Sequence, residues 1–337
     1  MVTAYTGSTS SVEKAAKIYV AGHRGLAGSA LVRRLRAAGY ENLVLRTHAE
    51  LELTDATAVR RFFEAERPQH VLLAAAKVGG ILANDTMPAV FIRENLAIQT
   101  NVIHEAWRAG VERLLFLGSS CIYPRDSPQP MKEEYLLTGP LEPTNRAYAV
   151  AKIAGIEMCW SYNRQHGTGF LAVMPTNLFG PGDNYDLQTS HVLPALIRKA
   201  HEAKLRGEDW LAVWGTGKPR REFLYSDDMA EACVFLLGLP DERYANLVTP
   251  EALPLVNIGA GNDLSICELA ELVCEVVGFR GRLEFDASKP DGTPRKLLDT
   301  GRLERLGWHP RIALREGVRM AYEDFKGTLQ EPLHAAQ

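Results

Sequence analysis

Residues 17–28 read KIYVAGHRGLAG, five residues of strand character that run straight into a turn with glycines at 22, 25 and 28. Beyond the turn, apolar residues recur at helical spacing from Leu26 to Ala38 and stop at Gly39. A strand that enters a helix through so bare a turn lets the backbone approach a pyrophosphate, which then rests on the helix N-terminus. The stretch predicts the first β–α unit of a doubly wound parallel sheet, with a dinucleotide site at its turn.

The same alternation continues outward. Strands are expected over 42–46, 70–76, 113–118 and 170–174, and helices over 57–66, 89–109 and 148–165. Repeated β–α units with short connections make the fold class α/β, a Rossmann core. After Gly180 the pattern loosens into a mixed region that reaches Gly217, then a helix over 266–277 and a loop over 286–296. The expected organisation is a flexible leader (1–16), a dinucleotide-binding domain (17–184) with later returns near 222–237 and 255–259, and a smaller α/β substrate lobe over 185–325. The leader is rich in Ser and Thr and has no apolar stretch of the kind a signal peptide carries.

Composition narrows the partners. Thirty-eight basic against forty-one acidic residues leave a formal charge of −3, which argues against a nucleic-acid footprint over the whole surface. No run of eighteen apolar residues appears, so no membrane span is expected. Five scattered cysteines without a CxxC spacing suggest neither a disulfide frame nor a metal site, and they fit a reducing cytoplasm.

The cofactor turn comprises Gly22, His23, Arg24, Gly25, Leu26, Ala27 and Gly28. Where NAD sites place an acidic residue at the end of the second strand, this chain has Arg46, Thr47 and His48, with Arg24 inside the turn. Cations there suit a 2′-phosphate, so the expected cofactor is NADP(H). Asp55 is either an adenine contact or the N-cap of the next helix. The fourth strand ends in Leu117, Gly118, Ser119, Ser120 and Cys121, at the carboxyl edge where the cofactor crevice lies.

Tyr148 and Lys152 stand one helical turn apart on one face. A phenol can give a proton to a carbonyl oxygen as hydride arrives, a nearby ammonium lowers the phenol's pKa, and a serine can hold the same oxygen. Ser119 and Ser120 both remain candidates for that serine.

The glycine turn, the serine and the YxxxK pair together resemble the extended short-chain dehydrogenase/reductase family. Longer blocks, among them AGHRGLAGSA, LAAAKVGGI, FLGSSCIYP, LEPTNRAYAVAKIAG, VMPTNLFGPGDN, SHVLPAL and FDASKPDGTPRKLLD, are similar to its bifunctional epimerase–reductases of GDP-linked 4-keto-6-deoxy sugars. The likeness runs from Lys17 to about Tyr322. It implies that Cys121 is the base and His191 the acid of C3/C5 epimerisation, before the C4 ketone is reduced. It also implies that Pro175, Thr176, Asn177 and Leu178 meet the nicotinamide half, with His191 beside them. Lys199, Trp214, Arg221 and Asp291 would contact the GDP-sugar, and two chains would pair through a four-helix bundle built from 89–109 and 148–165.

Rival readings on the same fold are a sugar-nucleotide 4-epimerase and a 4,6-dehydratase. Dehydratases carry an acidic pair after the active-site hydroxyl, where this chain has Cys121 and Ile122. A reading of another class is an NADP-sensing module without catalysis. Such a module would have no need of Ser119, Tyr148 and Lys152 together.

Overall fold

The structure is a computed structural model and describes residues 12–289 and 291–330. Its centre is a six-stranded sheet built from β1 (Ile18–Ala21), β2 (Leu43–Val44), β3 (His70–Leu73), β4 (Arg113–Leu117), β5 (Gly169–Pro175) and a late strand, Leu255–Ile258. Every pairing is parallel, and the spatial order is β2-β1-β3-β4-β5 followed by the late strand. The chain leaves β1 toward one edge and returns at β3 toward the other, so the crevice opens at the carboxyl ends of these two strands.

Helices α1 (Leu26–Ala37), α2 (Ala56–Glu66), α3 (Ile81–Thr86), α4 (Pro88–Arg108) and α5 (Arg146–His166) connect the strands. Strand side chains alternate between two cores. Ile18 and Val20 enter one with Leu31 and Leu35, whereas Tyr19 and Ala21 enter the other with Phe63 and Ile156. Burial on both faces is why these strands read as continuous apolar runs instead of alternating ones.

A third core lies outside the sheet. It gathers Leu193 and Ile197 of α6 (Val192–Arg206), Leu211 and Val213 of β7 (Trp210–Trp214), Leu269 and Val273 of a helix at Ile266–Val277, and Val318 and Phe325 of the last helix, Leu314–Gln330. The helix at 266 starts where it does because Ser265 and Glu268 cap it reciprocally.

Two expectations are corrected. Residues 1–11 of the expected leader lie outside the described residues. Val12 and Ala16, however, are buried in the first core, and Lys14 Nζ stands 3.9 Å above the Tyr40 ring. Residues 12–16 therefore belong to the fold. The return at 222–237 is also only half realised. After β6 (Asn177–Phe179) and β8 (Arg220–Arg221), strand β9 (Phe223–Tyr225) pairs in parallel with β6, apart from the main sheet. Only its following helix, α7 (Ser226–Leu237), comes back, packing along α1. The reason is that β10 (Leu255–Ile258) already occupies the open edge of β5.

The remaining elements are α8 (Asp241–Ala245), β11 (Leu264–Ser265), α9 (Ile266–Val277), β12 (Arg282–Asp286), β13 (Arg295–Lys296), α10 (Gly301–Leu306) and α11 (Leu314–Gln330); Tyr244 of α8 and Leu303 of α10 are buried in the first core of the main sheet. Strand β8 is flanked by β11 and β13, so that Lys296 lies beside Arg221. The fully buried Glu222 locks this arrangement, its carboxylate accepting from the amides of Ala260, Gly261 and Leu298 at 2.7, 2.8 and 3.0 Å. A second clamp is Asn257, which takes the Tyr123 hydroxyl at 2.6 Å and gives its amide hydrogens to the Met131 and Asp299 carbonyls.

Candidate active site

The turn between β1 and α1 is tight because Gly22 adopts φ +81° and lies against β3's exit, where a Cβ would come within 2.8 Å of the Ala75 backbone. At Gly28 a Cβ would stand 2.0 Å from the Gly22 carbonyl oxygen. No side chain caps the start of α1, and Arg24 and Gly25 are exposed there. The first amides of the helix therefore point outward without partners, a setting that fits the pyrophosphate of a dinucleotide. His23 Nδ1, buried and without a hydrogen bond, is a further polar atom at the same turn.

The expected 2′-phosphate residues are not equivalent. Arg46 is engaged by Glu66 and by the Leu45 carbonyl, and His48, exposed, reaches Glu52 at 2.7 Å. Arg24 joins none of the ion pairs among the described residues. Asp55 accepts from the amides of Thr57 and Ala58 and is the N-cap of α2.

At the carboxyl end of β4, Ser119 lies close enough to Tyr148 and Cys121 for its hydroxyl to favour the ionised form of each, while Ser120 is buried in the turn that follows. Lys152, 3% exposed, donates from Nζ to the Leu117 carbonyl oxygen at 2.8 Å, and its ammonium lies 5.8 Å from the Tyr148 ring centre. Burial lowers the Lys152 pKa to about 8, with Cys121 opposing. Burial also pushes the Tyr148 hydroxyl upward, Cys121 adding to the effect and Ser119 working against it. Tyr148 itself is half-buried, edge-on to Phe91 at 6.2 Å.

Cys121 is buried, and burial raises its pKa against the pull of Lys296, Ser119 and Lys152. Sequence reasoning left Lys296 among the charges of a loop. Strand pairing sets it beside Arg221, and its charge acts on both Cys121 and His191. His191 is exposed at the start of α6; desolvation by the surrounding protein lowers its pKa, and Lys296 lowers it further. No local pattern at 295–296 could have disclosed this, because the contact exists only through the pairing of β13 with β8.

On the side of the smaller lobe, Trp214 is 54% exposed, with Lys199 Nζ 4.9 Å and Lys289 Nζ 5.4 Å from its ring centre. Asp291 accepts from the Thr216 amide and hydroxyl at 2.7 and 2.8 Å, and its carbonyl lies 3.5 Å from Arg221 Nη2. Burial lowers the Arg221 pKa to about 10, with Asp291 opposing. Thr176 and Asn177 turn their side chains to the Glu222 carbonyl, and Pro175 and Leu178 flank them on β5 and β6. Hydrogen bonding and strand pairing link Asp291, Arg221 and Lys296, Lys199 lies over Trp214, and the charge of Lys296 acts on Cys121.

Known proteins carry the same architecture. The chain is 58% identical to "GDP-L-fucose synthase 1" of Arabidopsis thaliana, over 92% of this chain and 93% of that protein. It is 53% identical to "GDP-L-fucose synthase" of Escherichia coli (strain K12), over 92% of this chain and 96% of the other. The solved structure of MlghC, described as a GDP-mannoheptose C4 reductase from Campylobacter jejuni with NADP bound, superposes with a TM-score of 0.85 at 40% identity, covering 94% of this chain and 99% of that one. The model of the NAD dependent epimerase/dehydratase family matches residues 18–249, and with these relatives it shows that the chain belongs to that family.

Proposed function

We propose that this protein is a bifunctional epimerase–reductase that turns GDP-4-keto-6-deoxy-D-mannose into GDP-L-fucose with NADPH as reductant. The names of its relatives suggest the substrate and product. The observation that carries the reading is the succession of cations at Lys199, Arg221 and Lys296, with the exposed Trp214 beside the first and Cys121 within reach of the charge of the last. A GDP-sugar lying along it would have its base near an exposed aromatic ring, its diphosphate near Arg221 and Lys199, and its ketone beside Ser119 and Tyr148.

Both stages use the acidity that a C4 ketone confers on its neighbouring carbons. Cys121 removes the proton at C3 and at C5, and His191 returns one on the opposite face. Ser119 holds the C4 oxygen in both stages, first as an enolate and then as an alkoxide. Tyr148 gives that oxygen its proton at the end, and Lys152 keeps the helix bearing Tyr148 against the strand bearing Ser119. The Gly22–Gly28 turn would hold NADPH, with Arg24 available to its 2′-phosphate, and the bound cofactor would supply the hydride. Pro175 to Leu178 would border its nicotinamide end.

The test is incubation of purified protein with GDP-4-keto-6-deoxymannose and NADPH in deuterated water. Consumption of NADPH, with deuterium at C3 and C5 of a fucose-configured product, is expected. Consumption without deuterium would leave a C4 reductase in its place, and neither would sink the assignment.

The partner reading is a second copy of the chain. Half-buried Ile98, Trp107, Met158 and Tyr162, with exposed Val90 and Val150, lie on α4 and α5 and suit a four-helix contact between two chains. Sedimentation at a monomer's mass would refute it. A cytoplasmic setting is supported by five free cysteines, and no described helix is long and apolar enough to cross a membrane.

A further inference from the structure

Strand β8 carries Arg220 and Arg221, and β13 carries Arg295 and Lys296, so that four cations occupy adjacent positions of two paired strands. The register sets Arg220 opposite Arg295 and Arg221 opposite Lys296. Successive side chains of a strand leave opposite faces, so the first pair shares one face and the second pair the other. Like charges directly opposite one another destabilise a sheet. Each strand is also only two residues long and polar on both faces, the kind of pairing that slips most easily.

The first face carries its own counter-charge. Asp263, its side chain 5% exposed, accepts from Arg220 Nε at 2.9 Å through Oδ1 and from Arg295 Nε at 2.5 Å through Oδ2. Its carbonyl oxygen accepts from Arg220 Nη2, also at 2.9 Å. One carboxylate thus spans both strands, with an oxygen on each arginine. Asp263 is held in place in turn. The Gly261 amide, two residues before it, donates to Glu222, and Ser265, two residues after it, pairs with Arg220. On the second face, neither Arg221 nor Lys296 joins an ion pair among the described residues. Those two cations are left for an anionic ligand, and the spacing between them follows from the register that Asp263 bridges.

We propose that Asp263 is a positioning residue for the substrate's diphosphate: its carboxylate clamps Arg220 to Arg295 and so keeps Arg221 and Lys296 side by side on the opposite face. This role rests on the reading that the substrate is a GDP-linked sugar. The sign of the effect separates it from plain electrostatics. A carboxylate near a cationic site repels a diphosphate, so by charge alone its neutralisation should tighten binding. A carboxylate that holds the register does the reverse, and its neutralisation weakens binding.

The experiment titrates GDP into the full-length protein by calorimetry and measures steady-state rates with GDP-4-keto-6-deoxymannose and NADPH. In Asp263→Asn the Kd for GDP and the KM for the keto sugar are expected to rise roughly tenfold, the lower end of what a charged hydrogen bond is worth. The kcat and the KM for NADPH should stay within about twofold, as when only ground-state binding is lost. Unchanged or tighter GDP binding would overturn the proposal, and so would a fall in kcat as large as the rise in KM. Arg295→Met opens the same clamp from a side chain that is 45% exposed, and unchanged GDP binding in that variant would overturn the proposal even if Asp263→Asn did not fold. In the Arg295→Met background Asp263→Asn should weaken GDP binding no further, whereas additive losses would count against the clamp. A wild type that binds GDP yet neither consumes NADPH nor exchanges deuterium with the keto sugar fails the reading of the reaction, while the GDP titrations still decide the role of Asp263.

Discussion

Lys152 Nζ donates to the Leu117 carbonyl oxygen at 2.8 Å and so pins helix α5 to the last residue of strand β4. Ser119 follows Leu117 by two residues and Tyr148 precedes Lys152 by one turn, so this bond sets the distance between the two hydroxyls.

Lys152→Met should therefore damage structure and chemistry together. It leaves a buried carbonyl unpaired, which costs about 1–3 kcal/mol, and it loosens the alignment of Ser119 with Tyr148. Tyr148→Phe should behave differently: its ring keeps the contact with Phe91, so the melting temperature holds while the reduction rate falls by roughly 10²–10⁴-fold. Thermal unfolding and stopped-flow NADPH oxidation on both variants separate the two outcomes. A Tyr148→Phe enzyme of normal rate would remove the phenol from the mechanism.

The cofactor preference should rest on Arg24 more than on Arg46. The Arg46 guanidinium is already engaged by Glu66, whereas Arg24 is exposed and outside the ion pairs. Arg24→Ala is expected to raise the KM for NADPH by roughly 10–100-fold, the worth of one or two charged hydrogen bonds to a phosphate. The KM for NADH should stay nearly constant, and Arg46→Ala should change the ratio little. The reverse order would show that Glu66 releases Arg46 when the cofactor arrives.

Epimerisation needs Cys121 deprotonated and His191 protonated, yet burial raises the first pKa and burial with Lys296 lowers the second. The productive combination is thus the minor one. Its population falls off below the His191 pKa, where the thiolate is lost faster than imidazolium is gained, and above the Cys121 pKa, where imidazolium is lost faster than thiolate is gained. The acid limb of the deuterium-exchange rate accordingly belongs to His191 and the alkaline limb to Cys121. Lys296→Met removes a cation near both groups, so both limbs should move to higher pH. An acid limb that stays fixed in this variant would detach His191 from it.

Asp183, which has no role in the proposed chemistry, offers a stability test. Its Oδ2 is buried without a partner, and burial lifts its pKa to about 7, opposed by the Asn184 amide. A carboxyl whose folded pKa lies above its unfolded value adds stability that is complete below the unfolded pKa and lost as pH rises through the folded one. The loss here spans about pH 4 to about 7 and amounts to a few kcal/mol. Asp183→Asn should melt above the wild type at pH 8 and converge with it near pH 4. Parallel melting curves across that range would show the carboxyl to be solvated.

Local features of the chain were legible in proportion to how local their physics is. The run KIYVAGHRGLAG announces β1, its turn and α1 because sterics and periodicity act within a dozen residues. Helix α9 was expected at its observed bounds, since its capping residues and apolar spacing lie together. The pairing of β9 with β6 was not legible, because it depends on β10 having claimed the edge of β5 some eighty residues along the chain. Asp55 had two readings from sequence, and its bonds to Thr57 and Ala58 favour the cap. Lys296 was legible only as one of the charges of the 286–296 loop, and the pairing of β8 with β13 is what sets it beside Arg221. Resemblance, not pattern, pointed to Cys121 and His191.

The Glu222 amide donates to the Lys296 carbonyl oxygen at 3.2 Å, and its carboxylate ties the amides of residues 260, 261 and 298 into one knot. Lys296 stands two positions from that knot, and Arg221 stands next to it. Affinity for a sugar and alignment of its reacting carbons are thus inherited from a residue that no ligand would ever meet. Engineering confined to the lining of the cleft would tune the instrument's strings while leaving untouched the peg that holds their tension.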